Sequence, residues 1–216
     1  KADAICLLGD VFEAWVGDDA RSQPFEQNLT QVMAQASAIR PVCFMPGNRD
    51  FLVGPDLCAA AGMTPIADPT LLEAWGGRWV LCHGDALCLD DAPYQAFRAQ
   101  VRSAAWQQAF LNRPLPERLM LAKEMRRRSR ERHAAEPEGS GDLDVAACRQ
   151  LLQQAGARVL LNGHTHRPAH HDLGDGLSRE VLSDWDLDDE AHPRAEVLRL
   201  SADGRLSRLT PAQACQ

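Results

Sequence analysis

Residues 159–166 read VLLNGHTH, an apolar run that ends in a glycine and two histidines. Three further segments share this design: AICLLGD at 4–10, PVCFMPGNRD at 41–50 and RWVLCHGD at 78–85. Each apolar run predicts a short buried strand, and polar residues follow at its carboxyl end. In layered α/β folds, ligands bind beyond the carboxyl ends of the strands. The four polar tips therefore predict an α/β protein with its functional site at these tips.

The side chains at the tips are metal-ligand types. Asp10, Asn48, His83, His164 and His166 together form a donor set suited to a borderline divalent ion such as Mn, Fe or Zn. His164 and His166 are two residues apart, so on an extended segment they would point the same way. Taken singly, a Gly-Asp or Gly-Asn tip is usually a turn and a lone histidine is usually structural. The joint occurrence of all four tips favours a metal site.

Composition excludes several classes of protein. The chain of 216 residues has a formal net charge of -7, which argues against a general nucleic-acid binder. Its seven cysteines form no C-x-x-C pair, which is typical of a reduced, cytosolic chain. No apolar run approaches the roughly 18 residues that a membrane span needs.

One basic stretch interrupts the acidic chain. Residues 113–133 contain eight Lys or Arg against three Glu. This local excess indicates a surface that faces an anionic ligand or a layer of lipid headgroups. The alternative is an ordinary solvated helix face.

The remaining pattern predicts helices between the strands. Gly76-Gly77 predicts a hairpin between strands at 71–75 and 78–82, and Asp203-Gly204 predicts a second hairpin turn. The predicted helices cover residues 24–39, 56–61, 91–111, about 117–133 and 142–154.

The order GD, GNRD, HG, GHTH resembles the signature of the calcineurin-like metallophosphoesterases. The resemblance implies a single domain over residues 1–216, folded as a four-layer αββα sandwich with two metal ions. Carried over, it makes Asp10 the bridging carboxylate and His166 a ligand of the first ion. Asn48, His83 and His164 then belong to the second ion.

The family opens with an Asp-x-His on a strand before the first tip, and nothing here matches it. Only Lys1-Ala2-Asp3 precede the run at 4–8. We therefore expect the N-terminal strand of the native protein to be missing from this chain, and the first ion to bind poorly without it.

Arg49 stands where most members of the family have a histidine that serves as general acid. A guanidinium does not give up its proton at working pH, but it neutralises charge on a phosphoryl group. This suits a leaving group that needs no proton, such as a phosphate monoester with a pKa of about 6. Arg49 thus favours cleavage of a diphosphate over hydrolysis of a simple phosphomonoester.

The stretch HGDALCLDD at 83–91, followed by YQAFR at 94–98, resembles the UDP-2,3-diacylglucosamine diphosphatases of lipid A biosynthesis. That resemblance implies a helical lid over residues 91–136. It places Asn48, Arg49 and His164 at the phosphoryl group as catalytic residues. The further substrate contacts that it implies are Asp91, Tyr94, Ser129, His133 and Glu136, although His133 and Glu136 depart from the expected residue types.

The same resemblance implies a Mn-dependent hydrolase with two Mn²⁺ ions and a glycolipid nucleotide as substrate. UDP-2,3-diacylglucosamine would give UMP and 2,3-diacylglucosamine 1-phosphate. We expect a monomer that does not bind nucleic acid and lies in the cytoplasm of a Gram-negative cell, peripherally attached to the inner membrane.

The lid region is rich in bulky apolar side chains. These either form ordinary core or line a groove for acyl chains, and we expect a division between the two roles. The candidates for the groove are Trp15, Phe51, Leu52, Phe97, Phe110, Leu111 and Met125.

Two other functions remain open from the sequence. One is a different metallophosphoesterase or nucleotide pyrophosphatase that cleaves water-soluble substrates and needs no apolar lid. The other is a binding homologue that has lost the metal together with the Asp-x-His.

Overall fold

The chain forms two compact units, each built from two separate stretches of sequence. The computed structural model describes residues 2–135, 141–189 and 193–215, with side chains as far as residue 132 in the first range. The first unit comprises the described residues of 2–67 and 88–142, and the second those of 68–87 and 143–215. The mixture of helices and sheets confirms the predicted α/β class.

The first unit is built on a three-stranded parallel sheet in the order β1-β2-β3. Cys6 pairs with Cys43, and Cys43 pairs in turn with Thr64. The strands are β1 (Ile5–Leu8), β2 (Val42–Met45) and β3 (Met63–Pro65), and the helices are α1 (Pro24–Ile39), α2 (Pro55–Ala61), α3 (Ala92–Val101), α4 (Ala104–Leu111) and α5 (Leu115–Ala135).

The boundaries of α1 and α2 follow from local chemistry. Each helix begins with a proline at its first position, where the missing N–H costs no hydrogen bond. Gly62 ends α2 in a left-handed conformation with φ of 65°. The predicted helices at 24–39 and 56–61 are thereby confirmed to within a residue.

The predicted helix at 91–111 is wrong, because the structure has two helices there. The helical conformation is interrupted at Arg102 and Ser103, between α3 and α4. The Ser103 hydroxyl accepts a hydrogen bond from the backbone N–H of Trp106 at 3.3 Å. A serine side chain that caps the next helix competes with continuation of the previous one.

Helix α5 is fixed to the rest of the first unit at its N-terminal end by Arg118, which is 3% exposed. Its guanidinium donates to the backbone carbonyl of Val16 and to both carboxylate oxygens of Asp19. Gly17 leaves room for this contact, since a Cβ there would come within 2.4 Å of the guanidinium. A buried charge with this many partners indicates a rigid attachment.

The second unit is built on a five-stranded mixed sheet in the order β4-β5-β6-β8-β7, with a separate β9-β10 hairpin. Its central strands β5, β6 and β8 are parallel, and both edge strands are antiparallel to their neighbours. The strands are β4 (Thr70–Ala74), β5 (Gly77–Cys82), β6 (Val159–Asn162), β7 (His170–Gly174), β8 (Leu177–Val181), β9 (Val197–Leu200) and β10 (Leu206–Leu209), and the helices are α6 (Val145–Ala155) and α7 (Pro211–Ala214).

The β4–β5 hairpin exists, but its turn lies one residue earlier than predicted. Trp75 and Gly76 carry positive φ angles of 47° and 77°, whereas Gly77 already pairs with Ala74. Two positive φ angles are typical of the type I′ turn. The predicted turn at Asp203-Gly204 is confirmed, with Gly204 at φ of 80°.

None of the helices within the described ranges combines the length and the apolar character needed to cross a bilayer.

Candidate metal centre

Asp10 lies in the first unit, two residues beyond the end of β1. Its backbone is left-handed, with φ of 57°. The backbone N–H of Arg49 donates to its Oδ1 at 2.8 Å, and the Nε of Arg49 lies 3.3 Å from its Oδ2. These contacts with a residue 39 positions away fix the orientation of the carboxylate.

The loops after β1 and β2 are held together by Asp50, whose side chain is fully buried. Its Oδ2 accepts from the backbone N–H of Val11 at 2.8 Å, and its Oδ1 accepts from that of Gly47 at 2.6 Å. A buried carboxylate that accepts backbone N–H groups is a strong, charge-assisted contact. Asp50 lies within the GNRD stretch, but its role was not predicted from the sequence, because its partner Val11 lies 39 residues away.

His83 lies in the second unit directly after β5 and is fully buried. Its backbone N–H donates to Asp68 Oδ1 at 3.0 Å, and its carbonyl accepts from the N–H of Gly163 at 3.0 Å. The second of these bonds joins the loops after β5 and β6. The rings of His83 and His164 lie edge to face with centroids 5.2 Å apart.

The segment 164–166 is not extended, so the expectation based on strand alternation is wrong. His164 and His166 have φ angles of 66° and 54°, and the N–H of Thr165 donates to the carbonyl of Gly163 at 2.8 Å. A tight turn thus replaces the extended strand. Within the second unit, the structure instead places the ring of His164 beside that of His83.

His166 contacts an acidic residue from further along the second unit. Its Nδ1 lies 3.7 Å from Asp184 Oδ2, and the same carboxylate accepts from Arg194 Nη2 at 2.9 Å. Burial acts to raise the pKa of Asp184, but the hydrogen bond from Arg194 and the charges of His166 and Arg194 outweigh it and lower the pKa. At 3.7 Å the contact between His166 and Asp184 is electrostatic, since it is longer than a hydrogen bond. The sequence analysis missed this contact.

Backbone strain is concentrated at the predicted ligands. Among the described residues, five non-glycine residues have positive φ, and three of them are Asp10, His164 and His166. The other two, Trp75 and Asp175, lie in hairpin turns. Left-handed backbone outside glycine is uncommon and persists where the surrounding structure enforces it, often at functional sites.

Among the residues predicted to contact the sugar and phosphate, Asp91 has a structural role of its own. Asp91 caps α3 by accepting from the N–H of Tyr94 at 2.9 Å, and it forms an ion pair with Arg132 at 3.0 Å. Tyr94 and Ser129 are half-buried. His133 lies near the end of α5, where only backbone is described, and Glu136 lies outside the described residues.

The predicted acyl-groove residues differ in exposure. Three of them are buried in the hydrophobic core of the first unit, namely Trp15, Leu52 and Phe110. Two are half-buried, Phe51 and Met125, and two are exposed, Phe97 at 41% and Leu111 at 39%. The set therefore divides into core residues and accessible ones.

Fewer basic side chains of residues 113–133 face solvent than the sequence indicates. Arg118 is buried, Arg126 forms an ion pair with Glu13, and Arg132 with Asp91. The outward-facing cations of α5 are Lys123, Arg127, Arg128 and Arg130, of which Arg127 and Arg128 form ion pairs with Glu124 on the same helix.

A family model of the calcineurin-like phosphoesterases matches residues 1–168. The chain belongs to this family. Its fold is accordingly the metallophosphoesterase fold, as the four tips predicted.

Curated relatives agree with this family. A protein of Bordetella pertussis named UDP-2,3-diacylglucosamine hydrolase is 42% identical over 209 residues, which cover 94% of this chain and 81% of the relative. A protein of the same name from Chromobacterium violaceum is 46% identical over 183 residues, covering 84% and 76%.

Solved structures match more distantly. A novel archaeal phosphodiesterase superposes with a TM-score of 0.42 at 10% identity, covering 88% of this chain and 78% of that one. The phosphopantetheinyl hydrolase of Mycobacterium tuberculosis gives a TM-score of 0.39 at 14% identity, covering 84% and 78%.

Membership of the calcineurin-like phosphoesterases implies that the chain binds divalent metal. The residues present fit such an ion. His83 and His164 form a close imidazole pair, and imidazole and carboxylate donors suit a borderline divalent cation.

We predict that Asp50→Ala weakens Mn²⁺ binding by about 10- to 100-fold, because loss of a group that orients ligand loops typically has this effect. The buried N–H groups of Val11 and Gly47 would lose their acceptor, and the loops that carry Asp10 and Asn48 would move. Isothermal titration with Mn²⁺ measures the change.

Asp56→Ala is the matched control, since the Asp56 side chain is 72% exposed on α2. It should bind Mn²⁺ as wild type does. Equal affinity of the Asp50 and Asp56 variants would contradict the role given to Asp50.

Proposed function

We propose that the chain hydrolyses the diphosphate bond of UDP-2,3-diacylglucosamine to give UMP and 2,3-diacylglucosamine 1-phosphate. The observation that carries the proposal is the 42% identity to the Bordetella pertussis protein across 94% of the chain. The GNRD and HGDALCLDD stretches support the same substrate.

We propose two Mn²⁺ ions as the cofactor, with Asp10, Asn48, His83, His164 and His166 as ligands. A pair of such ions lowers the pKa of bound water and stabilises the attacking and leaving oxygens of an in-line displacement. The left-handed backbone at Asp10, His164 and His166 supports these assignments, because backbone strain outside glycine is costly and is found mostly at functional sites.

Arg49 is proposed to bind the phosphoryl oxygens rather than to donate a proton. A guanidinium stays charged at any working pH and has several N–H donors in a fixed plane. The contacts with Asp10 hold it beside the proposed bridging ligand. Asn48 and His164 would complete the contacts with the phosphoryl group.

The lid, residues 91–136, is proposed to bind the rest of the substrate. Asp91, Tyr94 and Ser129 would contact the glucosamine and phosphate groups, together with His133 and Glu136. Phe97 and Leu111, with the half-buried Phe51 and Met125, are the accessible apolar side chains for the acyl chains. Trp15, Leu52 and Phe110 would support them from the core.

The proposed substrate is a lipid, so the enzyme must reach a membrane surface. We propose that it acts as a monomer on the cytoplasmic face of the inner membrane. The outward cations of α5 lie on the same helix as Leu119 and Met120, which are 39% and 64% exposed. Exposed apolar residues beside cations are typical of a helix that lies on anionic lipid.

We predict Mn-dependent release of UMP from UDP-2,3-diacylglucosamine, lowered about 10²- to 10³-fold in kcat by Asn48→Ala, as for loss of one donor to a developing oxyanion. Arg49→Lys should lower kcat less than Arg49→Met, because it keeps the charge and loses the planar donors. Chromatographic detection of UMP measures both effects.

Asn28→Ala on the exposed face of α1 is the matched control and should retain wild-type activity. Full activity of Asn48→Ala would contradict the assignment. A wild-type protein that cleaves only water-soluble nucleotides would identify a different pyrophosphatase.

We also predict that replacing Lys123, Arg128 and Arg130 by Gln weakens binding to vesicles containing anionic lipid by about 100-fold. Each basic residue near such a surface contributes about 1 kcal/mol. Co-sedimentation with vesicles of phosphatidylethanolamine and phosphatidylglycerol measures the binding.

The control replaces three exposed arginines of the second unit, Arg78, Arg158 and Arg205, by Gln. If this triple variant loses as much binding as the first, the attraction depends on net charge alone and α5 is not the attachment surface.

A further inference from the structure

Glu13 has an unusual combination of exposure and bonding. Its side chain is 75% exposed, yet its carboxylate contacts guanidinium groups from two distant segments. Arg49 Nη1 donates to Oε1 at 3.1 Å from the loop after β2, and Arg126 Nη2 donates to Oε2 at 2.7 Å from α5. Both arginine side chains are only 20% exposed. One solvent-exposed carboxylate is therefore the counter-ion of two largely buried guanidinium groups.

The contact extends to the proposed metal ligand. Arg49 Nε lies 3.3 Å from Asp10 Oδ2, so charges alternate along the series Asp10, Arg49, Glu13 and Arg126. Two of the three guanidinium nitrogens of Arg49 lie beside carboxylates: Nε beside Asp10, without a hydrogen bond, and Nη1 hydrogen-bonded to Glu13. Because the group is planar and rigid, this fixes the direction of the third nitrogen, Nη2.

The electrostatics explain why the carboxylate is needed. An isolated surface ion pair contributes little to stability, but removing the counter-charge from two mostly buried cations leaves them to repel one another. Burial acts to raise the pKa of Glu13, but the hydrogen bond from Arg126 and the charges of Arg49, Arg126 and Arg130 outweigh it and lower the pKa. Glu13 therefore stays ionised.

A carboxylate beside an arginine that binds phosphate opposes the binding of an anionic substrate by like-charge repulsion. The presence of Glu13 is explained if this repulsion costs less binding free energy than is gained by holding Arg49 in the right orientation. The alternative is that Glu13 only attaches α5 to the β1 loop. Arg118 already attaches α5 to the same unit through Val16 and Asp19.

We propose that Glu13 is a positioning residue that orients the Arg49 guanidinium towards the reacting phosphoryl group and links this orientation to the lid helix through Arg126. The proposal rests on the proposed function of Arg49. It means that α5 acts on the chemistry of the reaction, in addition to any contact with the lipid.

The test uses Mn-loaded protein and bis-p-nitrophenyl phosphate, a small diester that needs no acyl contacts. Glu13→Gln should lower kcat by about 10- to 100-fold, as for a misplacement of about 1 Å, while KM changes much less. Glu13→Asp, which keeps the charge, should recover part of the lost kcat.

The double variant gives the sharpest result. In Glu13→Gln, the Arg126 cation faces Arg49 without a counter-charge, so adding Arg126→Met removes the repulsion. The double variant should be at least as active as Glu13→Gln alone. If the two substitutions acted independently, their fold-losses in kcat would instead multiply.

Glu124→Gln is the matched control. Glu124 is also an ion-paired glutamate of the first unit, but its partners are Arg127 and Arg128 on its own helix. It should leave kcat unchanged. Comparing the melting temperatures of both variants separates any loss of stability from the effect on kcat.

A kcat of Glu13→Gln within twofold of wild type would overturn the proposal, and so would losses that multiply in the double variant. Wild-type protein that cleaves the diester but not UDP-2,3-diacylglucosamine would contradict the proposed substrate only. The comparison of Glu13 variants on the diester would still decide the role of Glu13.

Discussion

A fully buried carboxylate, that of Asp50, ties together the two loops that follow β1 and β2. Both strands have only four residues and end before the polar side chains begin, so the sheet itself does not fix those side chains. The hydrogen bonds to Val11 and Gly47 supply the missing constraint. The left-handed backbone of Asp10 is maintained because its neighbours are held in this way.

In the second unit, the loops that follow the strands are held by hydrogen bonds between backbone groups. The N–H of Gly163 donates to the carbonyl of His83, which extends the parallel pairing of β5 with β6 into the loops that follow them. His164 and His166 then adopt left-handed conformations on either side of Thr165. In both units, short strands provide the scaffold, and a few buried hydrogen bonds between neighbouring loops orient the candidate ligands. Family membership explains why such an arrangement exists, since a metal-dependent phosphoesterase needs fixed donors.

The sequence predicted the strands β1, β2, β4, β5 and β6, the polar tips, the family and most helices, because each of these is a local pattern of apolar spacing and turn residues. Prediction from the sequence failed in two situations. In one, the deciding contact joins residues that are far apart in sequence; in the other, a local side-chain hydrogen bond ends a helix that the apolar spacing would continue. The Ser103 cap ended a helix that apolar spacing alone would continue. The turn at 163–165 replaced the extended segment on which His164 and His166 were expected to point the same way, and three-residue β3 was too short to leave a pattern. The partners of Asp50, Glu13 and Arg126 lie far away in sequence, so those roles became visible only in three dimensions.

The whole interpretation requires that the strand tips carry the ligands of divalent ions. Anomalous diffraction from crystals grown with Mn²⁺, recorded on both sides of the manganese absorption edge, tests it most directly. We expect anomalous peaks at about 2.0–2.2 Å from donor atoms of Asp10, Asn48, His83, His164 or His166, the usual range for oxygen and imidazole ligands of such ions. Peaks confined to other side chains, or no peak at any of these five residues, would contradict it.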